Sequence, residues 1–410
     1  VSNARAYAAV TAAYWGFTLT DGALRMLVLL HFFTLGYTPF QLALLFVLYE
    51  IAGMATNLFG GWAATRFGIN VTLSSGLGLQ VAALLMLSAL DPAWSPFWSV
   101  AYVVLAQGLA GVAKDLTKTS AKSAIKLVTP EGEAARLFRY VAWLTGSKNA
   151  LKGVGFFLGG VLLSTVGFVP ALWLMAAALA AVFAATVLLL PRLFGRAKQA
   201  SRLRELFAKT RAINLLAGAR IALFGARDVW FVVGLPVFLY ANGWAFAEVG
   251  GFLAAWTIGY GLVQGLAYRI VPRSADGLSA EVPAARLWAG VLAVIPLAIA
   301  LALALAALPP AAAQTVVVAG LVLFGVAFAV NSSVHSYLIV AYAGSEKVAE
   351  DVGFYYAANA AGRLAGTLLS GLLYQAGGLT ACLLGSGAML AASAAISLAL
   401  PTRAAVPARA

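Results

Sequence analysis

Charged residues interrupt stretches of this sequence that are otherwise almost wholly apolar, and their types point to anion chemistry. The first such stretch holds Asp21, Arg25 and His31, and the second Glu50. The fourth holds Lys114, Asp115, Lys118 and Lys122, and the fifth Lys148, Asn149 and Lys152. The seventh holds Arg220, Arg227 and Asp228, the tenth Asn331 and His335, and the eleventh Arg363. Nine Lys or Arg stand here against four Asp or Glu, so mutual pairing leaves a surplus of positive charge. A charge at a bilayer centre costs roughly 2.5–3.5 kcal/mol on insertion scales. The surplus implies a central cavity holding water, an anion or both. Arg25, Lys114, Lys148, Lys152, Arg227 and Arg363 fall near mid-stretch. Arg25 and Arg227 lie on the first and seventh stretches, equivalent places in two halves. Two guanidiniums facing each other across a pseudo-axis suit a phosphate-like oxyanion, which Arg binds bidentately.

The expected anion ligands are therefore Arg25, Lys114, Lys118, Lys148, Lys152, Arg227 and Arg363. Asp21, Glu50, Asp115 and Asp228 are candidates for coupling or counter-ion roles. Asp21 and Arg25 stand one helical turn apart, a spacing that allows them to pair. Glu50 reads as the counter-ion of a cavity lysine, with a proton carrier as the alternative. Asp115 is expected to pair with Lys118 or with a neighbouring span. Arg227 and Asp228 are adjacent on a helix, point in different directions and are not expected to pair. Asn149, Arg220, Asn331 and His335 are candidate cavity-lining groups, His335 sitting among Ser332, Ser333 and Ser336. His31 is expected at an interface. Lys114, Lys118, Lys122 and Lys126 recur every four residues over roughly 18 Å of helix. The deep pair, Lys114 and Lys118, reads as an electrostatic guide for an anion, while Lys122 and Lys126 are expected to snorkel.

No nucleotide fingerprint, metal cluster or nucleophile–base pair is visible, so neither an enzyme nor a resident cofactor or metal is expected. Gly153-Val154-Gly155 lies inside an apolar helix and lacks the Lys-Ser/Thr ending of a phosphate loop. The single Cys382 excludes an intrachain disulfide.

The elements that must position these residues are membrane helices. Of 410 residues, 62% are hydrophobic and 10% charged, with mean hydropathy +0.92. Soluble domains carry about 25% charged residues. Because a spanning helix needs about 20 apolar residues, the pattern predicts an all-α integral membrane protein of twelve spans. They run approximately over 7–35, 40–64, 71–90, 97–127, 137–166, 171–190, 213–240, 248–268, 287–307, 314–343, 353–374 and 379–400. Turn chemistry separates them, as at Gly36-Tyr37-Thr38-Pro39, Asp91-Pro92, Pro309-Pro310 and Gly377-Gly378. No separate signal peptide is visible, and the start at Val1 suggests a trimmed terminus. Trp94, Trp98 and Trp244 read as interfacial belt residues. Glycines of the second, fifth and eighth spans read as close-packing positions.

Loop charges set the orientation. One set of connections carries Arg66, Lys126, Arg136, Arg139, the run from Arg192 to Arg211, Arg269, Arg273, Arg286 and Lys347, with Arg5, Arg403 and Arg409 in the tails. The alternate connections contain no Lys or Arg. By the positive-inside rule both termini are cytoplasmic. The net charge of +13 thus belongs to a membrane surface and a cavity rather than to nucleic-acid binding.

The long basic connector divides the chain into six plus six: 1–190, a cytoplasmic linker 191–212, and 213–410. The halves resemble each other. An offset of 207 carries Asp21 to Asp228, Gly36 to Gly243, Tyr37 to Trp244, Gln41 to Glu248 and Arg66 to Arg273. An offset of 214 carries Gly111-Val112-Ala113 to Gly325-Val326-Ala327, and Asn149 to Arg363. Parallel six-helix repeats are the major facilitator architecture. Gly60-Gly61-Trp62-Ala63-Ala64-Thr65-Arg66-Phe67-Gly68 resembles the conserved loop of that fold, with Thr65 where an acid is usual.

Four stretches resemble the ArsJ-type organoarsenical exporters of the major facilitator superfamily. They are Ala13–Arg25, Ala113–Leu116 with Ser120–Lys126, Leu144–Gly153 and Phe224–Phe231. The resemblance covers nearly the whole chain. It implies export of 1-arseno-3-phosphoglycerate across a bacterial inner membrane, conferring arsenate resistance. It also implies functional partnership with glyceraldehyde-3-phosphate dehydrogenase, which makes that ester. A monomer surrounded by lipid is expected. An organophosphate exporter or exchanger would use the same cations, and a membrane-embedded sensor is the reading from a different class.

Overall fold

Each apolar stretch forms a helix because a backbone in lipid must satisfy its own hydrogen bonds. The computed structural model describes residues 3–67, 69–128, 134–190, 210–272, 274–276, 278–305, 308–342 and 348–402. Among them lie α1 (Asn3–Thr34), α2 (Pro39–Leu44), α3 (Val47–Phe67), α4 (Ile69–Ser88), α5 (Pro96–Val128), α6 (Ala134–Thr165) and α7 (Phe168–Leu189). After the linker follow α8 (Arg211–Phe231), α9 (Gly234–Ala241), α10 (Phe246–Leu266), α11 (Glu281–Leu305), α12 (Pro310–Tyr342) and α13 (Val348–Leu398). Most of the linker, residues 191–209, lies outside the described residues, as do Gly68, Arg273, Lys347, Arg403 and Arg409. So do the side chains of Arg5, Arg66, Lys122, Lys126, Arg136 and Arg139.

Among the described residues, ten helical stretches are long and apolar enough to cross a membrane. One of these, Asp351–Leu398, is interrupted at Gly377 and Gly378, where the backbone leaves helical geometry, and so makes two rods. The lysine-bearing α6 is the further long helix, giving twelve rods in the expected order. Two expected spans are each broken into two pieces. The second is split into α2 and α3 at Leu45-Phe46. The seventh is split into α8 and α9 at Val232-Val233. Pro236 lacks the N–H that would bond back to Val232, which favours the second break. There the Ser370 hydroxyl accepts from the N–H groups of Val233 and Gly234, both at 3.1 Å.

The 207-residue offset is written into the backbone. Gly36 and Gly243 both close a helix with positive φ, +84° and +92°, a conformation glycine enters without a Cβ penalty. Five residues on, Gln41 accepts from Thr38 N–H at 2.9 Å, and Glu248 accepts from Ala245 N–H at 2.7 Å. Later helices follow a different offset. Gly167 and Gly378 also have positive φ. A Cβ on Gly155 would meet the Leu19 carbonyl oxygen at 2.5 Å, and one on Gly366 would meet that of Gly225 at 2.4 Å. Both pairs are 211 apart. In this register Lys152, not Asn149, is the counterpart of Arg363, which corrects the offset of 214 for these two helices.

Two compact units result. The first comprises Val1–Arg202 with Leu239–Ile258, and the second Leu203–Phe238 with Gly259–Ala410. The segment Leu239–Ile258 groups with the first because α10 meets α6 backbone to backbone. A Cβ on Gly250 would lie 2.6 Å from the Phe156 carbonyl oxygen, and one on Gly160 2.3 Å from that of Phe246. Within the first unit α1 packs on α6, and α4 on α5 and α7. Within the second, α8 and α11 both pack on α13. Arg286 holds the end of α13, donating to the carbonyls of Ser397, Leu398 and Leu400. Trp94 and Trp98 are exposed, as belt residues would be.

Candidate anion-binding clusters

In the first unit, the charged residues of α1, α3 and α5 meet in one chain of contacts. Arg25 Nη2 donates to Glu50 Oε1 at 3.0 Å. Glu50 is fully buried, and burial of a carboxylate is tolerated only with a partner. Arg25 is thus one partner of this carboxylate. The Arg25 guanidinium lies 5.0 Å from the Phe46 ring centre and 5.4 Å from that of Tyr49. Asp21 does not pair with Arg25; its Oδ1 accepts from the Tyr49 hydroxyl at 2.6 Å.

Tyr49 connects this pair to the lysines. Lys114 Nζ stands 4.0 Å over its ring and 3.6 Å from Asp115 Oδ2. Lys118 Nζ donates to Asp115 Oδ1 and to Asn57 Oδ1, each at 2.8 Å. Asp115 therefore sits between two ammonium groups, with Lys118 as expected and Lys114 in addition. Gly53 makes room for them, since a Cβ there would lie 3.1 Å from Asp115 Oδ2 and 3.3 Å from Lys114 Nζ. This glycine is a position beside a charge cluster as well as a packing position. Phe46, Tyr49, Gly53 and Asn57 had no place in the sequence-based site. Their spacing around Glu50 marks one face of a helix, and that was the available signal.

On α6, Lys148, Asn149 and Lys152 are half-buried. Lys152 Nζ lies 5.6 Å from the Phe156 ring centre. Trp15 Nε1 donates to Ser147 Oγ at 2.9 Å, fastening α1 to α6 one residue before Lys148. His31, near the end of α1, stacks on Phe168 with ring centres 4.0 Å apart.

The second unit holds two clusters. In the first, Asp228 Oδ1 accepts from Arg227 Nε at 2.7 Å, and Arg363 Nε lies 3.4 Å from Asp228 Oδ2. The expectation that Arg227 and Asp228 diverge is therefore corrected. Adjacent side chains do leave a helix in different directions, but the arginine stem is long enough to fold back. Phe224, Phe231 and Phe328 hold its guanidinium at 4.9, 5.9 and 5.5 Å from their ring centres. Arg363 reaches Asp228 because α8 and α13 touch at glycine. A Cβ on Gly362 would lie 2.3 Å from the Ile221 carbonyl oxygen, and one on Gly366 2.8 Å from Asp228 Cβ.

The second cluster surrounds Arg220, which is only 4% exposed. Its Nε donates to Asn359 Oδ1 at 3.2 Å, and its Nη1 to Ser332 O at 3.2 Å and Ser332 Oγ at 3.3 Å. The rings of Phe224 and Tyr355 lie 3.9 and 4.8 Å from its guanidinium carbon. The Tyr260 hydroxyl is 3.3 Å from Ser332 Oγ. Asn331 and His335 are fully buried on α12 beside Ser332.

No family model matches the chain, and no curated protein matches it. Solved structures do. A D-xylose-proton symporter is similar with a TM-score of 0.69 at 12% identity, covering 98% of each chain. A bacterial homologue of the human drug peptide transporters PepT1 and PepT2 gives 0.69 at 13% identity, covering 97% of each. A POT family transporter, solved in complex with a thioalcohol-conjugated peptide, gives 0.75 at 12% identity, covering 96% of each. Identities this low carry the fold and nothing finer. With these matches spanning nearly every residue, the chain is a multi-pass integral membrane protein with the major facilitator fold.

Proposed function

We propose that this protein is a secondary transporter that exports a small anionic organoarsenical, 1-arseno-3-phosphoglycerate, from the bacterial cytoplasm by alternating access. The single observation that carries the anionic reading is the density of half-buried and buried cations in each unit. Arg25, Lys114, Lys118 and Lys152 lie in one, and Arg220, Arg227 and Arg363 in the other. The full-length likeness to a sugar symporter and peptide transporters supports a transport role. The arsenical itself rests on the four stretches that resemble ArsJ-type exporters. A solute bearing phosphate, arsenate and carboxylate groups would draw on several of these cations. An inside-negative membrane drives anions outward by about 2.3 kcal/mol per charge per 100 mV, so export needs no proton.

The test is arsenic retention in an arsenate-sensitive bacterium expressing this protein, with and without glyceraldehyde-3-phosphate dehydrogenase. Retained arsenic should fall only when both are present. Arg25→Ala and Arg227→Ala should each abolish that fall while leaving the protein in the membrane. Unchanged arsenic, with wild-type protein verified in the membrane, would exclude this substrate. Full protection by both alanine variants would exclude these two arginines as ligands.

A further inference from the structure

Arg25, Lys114, Lys118, Arg227 and Arg363 each have a carboxylate oxygen within 3.6 Å. Arg220 has none among the described residues, although it is more deeply buried than any of these five. Its partners are an amide oxygen, a backbone carbonyl and a hydroxyl, all neutral. A buried guanidinium held only by neutral groups keeps its full charge while losing most of its hydration, a costly state unless a counter-charge joins it. The other cations would have to loosen an existing ion pair before taking a solute. Arg220 would not.

The surroundings offer donors. Asn331 and His335 stand one turn apart on α12, flanking Ser332, and are fully buried. Among the described residues, neither amide atom of Asn331 and neither ring nitrogen of His335 has a hydrogen-bond partner. His335 lies within electrostatic reach of Arg220. Leaving such groups unbonded costs about 1–3 kcal/mol each, so their retention here points to something that bonds them. Tyr260 and Asn359, which also reach this cluster, are half-buried.

We infer that Arg220 is the primary oxyanion ligand of the second unit, binding one tetrahedral oxyanion group in a pocket formed with Ser332, Asn359, Tyr260, Asn331 and His335. The guanidinium supplies the charge and a planar pair of N–H donors, which fits a phosphate-like group better than a halide. The same chemistry is offered by free inorganic phosphate and by the phosphate of an organic ester. The inference shares with the proposed function only the anionic nature of the solute, not its arsenic.

The experiment is thermal unfolding of the purified full-length protein in detergent, titrated with sodium phosphate, glycerol 3-phosphate or sodium chloride. Phosphate should raise the melting midpoint in a saturable way, and chloride at equal ionic strength should not. Arg220→Gln should remove the phosphate response, and Arg220→Lys should weaken it about ten-fold or more. Arg286→Gln, a lost charge elsewhere in the same unit, should keep it. If Arg220→Gln does not fold, Arg220→Lys and Asn359→Ala decide the matter by the same titration. No response in the wild type, an undiminished response in the Arg220 variants, or an equal response to chloride overturns the assignment. Stronger protection by glycerol 3-phosphate than by phosphate marks the pocket as an ester subsite, and the reverse order as a free-anion site. Failure of arsenic export with the phosphate response intact would sink the arsenical reading and leave this one standing.

Discussion

Arg227 and Asp228, consecutive on α8, are joined side chain to side chain, with Nε of the arginine 2.7 Å from Oδ1 of the aspartate. The second carboxylate oxygen faces Arg363 of α13 at 3.4 Å. One buried negative charge thus holds two helices together through two cations. An anionic solute that binds either arginine must compete with Asp228 for it. Under the proposed function, that competition would couple solute binding to the contact between α8 and α13.

Asp228→Asn should accordingly destabilise the protein. Removing one partner of a buried ion pair costs about 3–5 kcal/mol, because the remaining charge is left uncompensated. Here two guanidiniums would lose the carboxylate they share. Asp228→Asn combined with Arg363→Gln should recover a measurable part of the loss. A double-mutant cycle on the melting midpoint checks this. Strictly additive effects would mean that Asp228 and Arg363 do not interact.

Two glycine substitutions should differ sharply in severity. At Gly53 a Cβ would press on Lys114 Nζ, the far end of a flexible side chain, and on Asp115 Oδ2. Gly53→Ala should fold, cost about 1–3 kcal/mol, and impair transport more than stability by moving the lysine. At Gly362 the added carbon would lie 2.3 Å from a backbone oxygen of α8, which has no rotamer to yield. Gly362→Ala should leave little folded protein in the membrane. Size-exclusion profiles and export rates of the two variants, measured side by side, distinguish these outcomes. Equal behaviour would contradict the packing argument.

Outside the membrane-spanning segments, Asp276 organises the loop between α10 and α11. Its Oδ1 accepts from Leu278 N–H at 3.1 Å, Ser279 N–H at 3.0 Å and the Ser279 hydroxyl at 2.8 Å. The Ser279 N–H, followed by the Ser274 side chain, holds the carboxyl below the usual carboxylate range. A lowered value means that the ionised carboxylate stabilises the folded loop. That contribution is complete above the ordinary aspartate value near 4 and is lost as pH falls through the lower, folded-state value. Asp276→Ala should therefore speed amide exchange at Leu278 and Ser279 at neutral pH, with little change in the global melting midpoint. Wild-type protein should show the same acceleration only well below about pH 4. Unchanged exchange at Ser279 in the variant would mean that the carboxylate is not what orders this turn.

Sequence by itself determined the helices, because a lipid-facing backbone has no alternative to helix and the apolar runs have the length of a bilayer. It also determined the half-chain repeat in its first helices, where Gly36 and Gly243 need positive φ and Gln41 and Glu248 repeat one capping contact. The identity of the buried charges was equally legible, since any charge inside an apolar run is conspicuous. Which charges pair was not. Asp21 and Arg25 share a helix face at a pairing distance, yet tertiary structure gives Arg25 to Glu50 on α3 and Asp21 to Tyr49. Asp228 and Arg363 are far apart in the chain and meet only because glycines let α8 and α13 approach to backbone contact. The repeat correspondence between α6 and α13 likewise followed from where glycines touch carbonyls within each unit, which replaced Asn149 by Lys152 as the counterpart of Arg363. Arg220 looked like one more lining cation until its neighbours proved to be neutral. A helix sequence fixes the directions its side chains leave it, but a buried charge takes whichever opposite charge the packed neighbours bring within reach, and that is set by helix contacts between residues remote in the chain.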